Sequence, residues 1–225
     1  NYQMIVKIGS NPEMVASCKV PEKVDIQQLV DDGIHYGRGY CSFDGVNYYA
    51  TKKYKLTFKD PPQQNYYALE CYAIVKEYTK TKQWPLNCWI SGAFDINPLF
   101  ENNLFIQKYR SFCPNAQPIF SDKLFNDNQE SIVVTPGVMA DSLLCINLVS
   151  ISQGYYKRLK SMFLFNENIT NRYSSPVQVY SNFTNAVGFL AGRTVSSDTI
   201  ALTPSPFSLP DSAQKAKNKS KLYGK

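Results

Sequence analysis

The chain has little histidine, little charge and no long apolar run. One histidine among 225 residues, with 19% charged types, excludes histidine-rich metal centres. Six cysteines stand at 18, 41, 71, 88, 113 and 145, none in a CxxC or other close metal-type spacing. A zinc site would therefore have to be assembled from distant thiolates. The apolar stretches are only a few residues long, far short of the ~20 that a membrane-crossing helix requires. No phosphate loop, nucleophile elbow, HExxH or GxGxxG occurs. No basic patch followed by an apolar run marks a secretory leader. The chain opens Asn-Tyr-Gln-Met without an initiator methionine, as a processed product or fragment would, so a missing leader does not place it in the cytoplasm.

What charge exists is unevenly spread. The net charge is +6, and five lysines (215, 217, 219, 221 and 225) follow Ala213 without an acid; setting those five aside leaves +1. A nucleic-acid protein carries its basic stripe on the fold itself, so residues 211–225 are expected to be a basic flexible tail and no nucleic-acid partner is expected. Apolar types make up 44%, enough for the core of one substantial domain. An even cysteine count fits up to three disulfides in an oxidising compartment, or buried free thiols.

Period-two patterns dominate. Residues 2–8 and 14–20 read as strands flanking the turn cluster Gly9-Ser10-Asn11-Pro12. Residues 40–49 enclose Asp44-Gly45, a hairpin-turn pair. Residues 53–59 place Tyr54, Leu56 and Phe58 on one face, and Asp60-Pro61-Pro62 stops the strand because proline offers no ladder amide. Further strands are expected at 65–79, 132–134, 143–150, 177–180 and 187–193. One segment changes period: Ser152 is a fitting N-cap for residues 153–165, with Tyr155, Leu159, Met162 and Phe163 at helix-face spacing. The fold expected is mainly β, an antiparallel β-sandwich-like domain with one amphipathic helix near residues 152–165.

Reaction chemistry is sparse. His35 lies in DDGIHYGRGY, read as a polar glycine-rich loop, and no local motif brings it a nucleophile and an orienting carboxylate. Asp31 and Asp32 read as solvated loop acids, without the spaced acids of a calcium loop. A glycosidase carboxylate pair comes together only in three dimensions, and nothing in the sequence recommends one. No catalytic residue, metal ligand or cofactor is expected. The excess is aromatic: 16 Tyr, 13 Phe and 2 Trp. Tyr48-Tyr49, Tyr66-Tyr67 and Tyr155-Tyr156 are doublets, and a doublet on a strand puts one ring on each face. Such rings serve contact surfaces for proteins, peptides or sugars, or ordinary cross-strand pairs. The candidate ligand-binding residues are Tyr48, Tyr49, Tyr66, Trp84 and Trp89.

Several segments together resemble one family. LVSISQGYYKRLKSM (148–162) followed by SSPVQVYSNFTNAVGFLAGRTV (174–195), PIFSDKLFN (118–126), MVASCKVPEKVDI (14–26) and NYYALECYAI (65–74) are similar, in order and spacing, to the Bacteroidota outer-membrane lipoproteins grouped as domain of unknown function four-two-four-nine. Cys18 stands where that family has a small hydroxyl residue, Ala186-Val187 replaces its glycine-leucine, and the lysine tail lies outside its pattern. The resemblance implies three regions: 1–20, the last strands of a truncated immunoglobulin- or transthyretin-like module with an unpaired sheet edge; 21–210, the β-rich family domain; and 211–225, the tail. It also implies a non-catalytic cell-surface lipoprotein on the outer membrane, held there only by a lipid anchor absent from this chain. Its expected role is accessory or substrate-capturing subunit of a SusC-type TonB-dependent nutrient transporter, with other surface lipoproteins as further partners. Surface proteins of that phylum are O-glycosylated at Asp-Ser/Thr-apolar triplets, which makes Thr199 and Ser212 candidates ahead of Ser142. The Asn-x-Ser/Thr triplets at Asn168, Asn182 and Asn218 would carry glycans only in a eukaryotic secretory setting. The rival readings are a viral or phage capsid-type β-sandwich and a carbohydrate-active enzyme.

Overall fold

The alternation at Tyr54, Leu56 and Phe58 has the consequence expected of a strand with one dry face: all three are fully buried, while Lys55 and Lys59 are exposed. A computed structural model describes residues 1–41, 45–77, 80–85, 88–90, 118–136, 142–169 and 175–202. Among these the strands are β1 (Tyr2–Val6), β2 (Met14–Cys18), β3 (Ile26–Cys41), β4 (Gly45–Lys59), β5 (Tyr66–Glu77), β6 (Lys80–Pro85), β7 (Cys88–Ile90), β8 (Ile119–Ser121), β9 (Gln129–Pro136), β10 (Ser142–Ile151) and β11 (Arg193–Leu202). One α-helix, α1 (Gln153–Ile169), follows β10. Residues 42–44, with Asp44 of the expected hairpin-turn pair, and the expected tail 211–225 lie outside the described residues.

Two antiparallel sheets make a sandwich. One runs β3-β4-β9-β7; the other runs β11-β10-β5-β6, with β8 also paired to β5. Their inner faces share one core, in which Tyr54, Leu56, Phe58, Ile132 and Val134 of the first sheet meet Tyr67, Leu69, Phe120, Leu144, Ile146 and Leu148 of the second. Burying such side chains stabilises by about 1.5–3 kcal/mol each. At one margin the Ile26 amide donates to Ser196 Oγ at 3.0 Å, joining β3 to β11 across the two sheets. The mainly β, antiparallel fold with a single helix is therefore the one expected.

The helix covers the outer face of the second sheet. Ala68, Ile119, Val149, Ile151 and Tyr156 form a second buried cluster with Tyr66, Tyr155, Leu159, Phe163 and Val195 packed against it. Ser152 is the N-cap, accepting from the Tyr155 amide at 3.4 Å. The contact stripe differs from the expected one at Met162, which is 39% exposed. The stripe centres on Tyr156, Leu159 and Phe163, and Met162 sits one residue, about 100°, around from Phe163.

Three expectations are corrected. Residues 31–40 are not a loop: they belong to β3, a strand of 16 residues. The Asp-Asp-Gly signal marks a bulge instead, where the register shifts between Asp31 and Ile34. Gly33 there has φ +86°, and its amide donates to Asp31 Oδ1 at 2.9 Å. His35 thus lies in a strand, opposite Thr51; its side chain lies outside those described. Residues 177–180 and 187–192 form no strand. Side chains replace a neighbouring strand as their partners: Tyr180 N donates to Ser161 Oγ, Arg158 donates to Tyr180 O, and Asn182 bonds both Leu190 N and Leu190 O. The strand begins only at Arg193, as β11.

The first two strands form their own two-stranded sheet, in register from Tyr2↔Cys18 to Val6↔Met14. It meets residues 182–185 along β2: Ala16 bridges to Phe183, Thr184 N donates to Val15 O at 2.9 Å, Val15 N donates to Thr184 Oγ1 at 3.2 Å, and the Asn182 and Asn185 side chains donate to the carbonyls of Ser17 and Glu13. The chain then passes so close to the start of β11 that a Cβ on Gly192 would lie 2.8 Å from Val20 Cα. Cys18, Cys71 and Cys145 are free thiols. Cys71 packs toward the shared core, whereas Cys145, paired with Tyr72 one register step on, lies on the opposite face of the sheet.

Candidate binding site

Where β10 hands over to α1, four segments converge around a cavity of about 450 Å³. Ser17 to Glu22 form one wall, Gln63 to Tyr66 a second, Ile151 to Gly154 the third, and Tyr180 with Asn182 the fourth. The volume is that of a small-molecule site, roughly 300–1,000 Å³.

The second wall owes its shape to two buried carboxylates. Asp60 is fully buried and Asp122 nearly so. Asp122 accepts from the Asn65 amide, and its own amide returns a bond to Asn65 O at 3.3 Å. Asp60 accepts from the Tyr67 hydroxyl and, at 3.2 Å, from the Asp127 amide. The Asn65 side chain closes the loop on itself by donating to the carbonyls of Pro61 and Gln63. Burial raises both carboxyls above the ordinary range, against the bonds that lower them. The Tyr67 phenol is pushed up as well, by burial first and then by its bond to Asp60.

Tyr66 comes next in sequence and turns the other way. Its ring packs on Tyr156, centroids 4.7 Å apart, and its hydroxyl accepts from Gln153 Nε2 at 3.0 Å. Gln63 Nε2 donates to Glu22 Oε2 at 3.2 Å, linking the second wall to the first. On the fourth wall, Lys157 lies 5.9 Å from the Tyr180 ring centroid. The Asn182 side chain accepts from Leu190 N and donates to Leu190 O, with its Nδ2 also 3.4 Å from Ser17 O on the first wall. Ser152 Oγ caps α1 and also accepts from Gly192 N at 3.5 Å, which holds the helix start at the opening.

The lining is thus rich in carboxamides, with two tyrosines, one lysine (Lys19) and one carboxylate (Glu22) among the described residues. These groups donate, accept and stack. Among the described residues no three His, Cys, Asp or Glu are gathered to hold a metal. A third buried acid, Glu70, lies apart on the outer face of the sheet, bound by Arg193 at 2.9 Å, Tyr72 at 3.0 Å and Asn147 at 3.3 Å.

Of the five sequence-derived candidates, Tyr66 lines the cavity. Tyr48 and Tyr49 lie on β4 opposite Arg38 and Gly37, Trp84 on β6 opposite Ala73, and Trp89 on β7 opposite Thr135. The side chains of those four are outside the described ones. Thr199 is exposed on β11, the edge strand of its sheet. Ser142 opens β10 with its side chain undescribed, and Ser212 lies outside the described residues. Sequence reasoning missed Gln63, Gln64 and Gln153, and the signal for them was faint: amides gain meaning only beside their partners. Asp60 and Asp122 were visible only as a strand stop and as part of the FSDKLF segment.

No curated protein and no solved structure matches the chain. A family's sequence model does match, over residues 1–199. By that match the chain belongs to the family described as Domain of unknown function (DUF4249).

Proposed function

We propose that this protein is a non-catalytic subunit of the bacterial cell surface, a lipoprotein of the outer membrane that captures a nutrient for a SusC-type TonB-dependent transporter. The observation that carries the capture reading is the braced cavity at the head of α1, whose described lining is rich in carboxamides and carries two tyrosines. Asp60 and Asp122 are buried and committed to the loop that forms one wall, and Glu22, the carboxylate of the described lining, accepts from Gln63. The transporter partner and the Bacteroidota setting rest on the family membership and on what the resemblance in the sequence implies.

Turnover assays test the non-catalytic reading. Incubated with mixed glycosides and peptides, the purified chain is expected to leave them intact. Hydrolysis abolished by Glu22→Gln, or by any single Asp or Glu substitution, would reverse the reading in favour of a carbohydrate-active or peptide-cleaving enzyme.

A further inference from the structure

We infer that the ligand of the cavity is a neutral carbohydrate. The inference rests on the capture reading above and adds the chemical class. Charge argues first. Lys19 and Glu22 are the two charged residues of the described lining and are opposite in sign, so the wall as a whole selects neither an anion nor a cation.

Hydrogen-bonding capacity argues second. A carboxamide offers two donors and an acceptor with two lone pairs. Gln153 spends one donor on Tyr66 and Gln63 one on Glu22, which leaves acceptors and further donors on both, and Gln64 stands exposed beside them. Neighbouring hydroxyls of a sugar ring match such donor and acceptor sets, each hydroxyl being both. Tyr66 and Tyr180 add flat apolar surface with polar tips, suited to the C–H face of a pyranose.

A peptide fits less well. Pro21 and Ile151 are the aliphatic members of the lining, too little to seat apolar side chains. The strand edge of β2 beside the cavity is already met by Phe183 and Thr184, so it does not offer a ladder for strand addition.

The test uses the full chain on arrayed neutral glycans (α- and β-glucans, mannans, xylans and galactans), with calorimetry on each hit. A neutral Gly-Ser hexapeptide runs in parallel. Gln64→Ala and Gln153→Ala are the test variants, and Thr199→Ala, six residues along β11 from Arg193, is the control. The expected result is glycan binding that each glutamine variant weakens about tenfold, one lost charge-free bond costing near 1.4 kcal/mol, with the control unchanged. Glycan binding indifferent to both glutamines would overturn the site. Peptide binding sensitive to them, without glycan binding, would overturn the carbohydrate class and leave capture standing. Binding of neither would overturn the inference, while partner identification from native membranes judges the transporter reading separately.

Discussion

The hydroxyl of Tyr67 donates to the carboxylate of Asp60, seven residues earlier, with both side chains fully buried between the sheets. This bond and the one from the Asn65 amide to Asp122 fix the β4–β5 loop, so the wall of the cavity is an outgrowth of the core. Burying a carboxylate is costly unless donors reach it, and here each carboxylate has them.

Tyr67→Phe removes one donor and leaves the buried acid short. The expected cost is about 1–3 kcal/mol. Urea titration checks it, with the midpoint falling and the slope unchanged.

The pH dependence of stability follows from the raised carboxyls of Asp60 and Asp122. Burial lifts their folded pKa above the unfolded value of about 3.9, so between the two the folded state binds more protons. Their contribution is fully present below the unfolded value and is lost as pH rises through the folded one. Asp25 works in the opposite sense, its carboxyl lowered by Lys23, so the comparison is made against a variant. Across pH 4–7, wild type is expected to lose stability relative to Asp60→Asn; a difference independent of pH would contradict the assignment.

Gly192→Ala places a methyl 2.8 Å from Val20 Cα, a backbone atom that cannot swing aside. Overpacking of this kind costs about 1–3 kcal/mol. A thermal melt should show the loss, whereas unchanged stability would mean that the contact yields freely.

Ser152→Ala removes the α1 cap and the acceptor for Gly192 N. About 1 kcal/mol is expected, together with faster hydrogen exchange at the Tyr155 amide. The variant also tests whether the helix start supports the cavity, since a glycan-binding chain should then bind more weakly.

The sandwich and its helix were legible because their signals are local. Tyr54, Leu56 and Phe58 alternate on a strand that a proline pair ends, and Ser152 precedes a clean helical stripe. β3 was obscured by its own bulge, since Asp31-Asp32-Gly33 has the composition of a turn while the strand continues past it. Residues 177–180 carry strand-like alternation, yet their partners are Ser161 and Arg158 of the helix, a choice made by tertiary packing. β11 went unseen because Ser, Thr and Asp dilute its pattern. The cavity itself was out of reach: Gln153 and Tyr66, which meet in its wall, stand 87 positions apart.

The most direct measurement is isolation of the chain from its native membranes, with identification of what accompanies it in fixed proportion. A SusC-type transporter is the predicted companion. Recovery within a particle of capsid-type proteins, or of the chain with no membrane protein attached, would contradict the account.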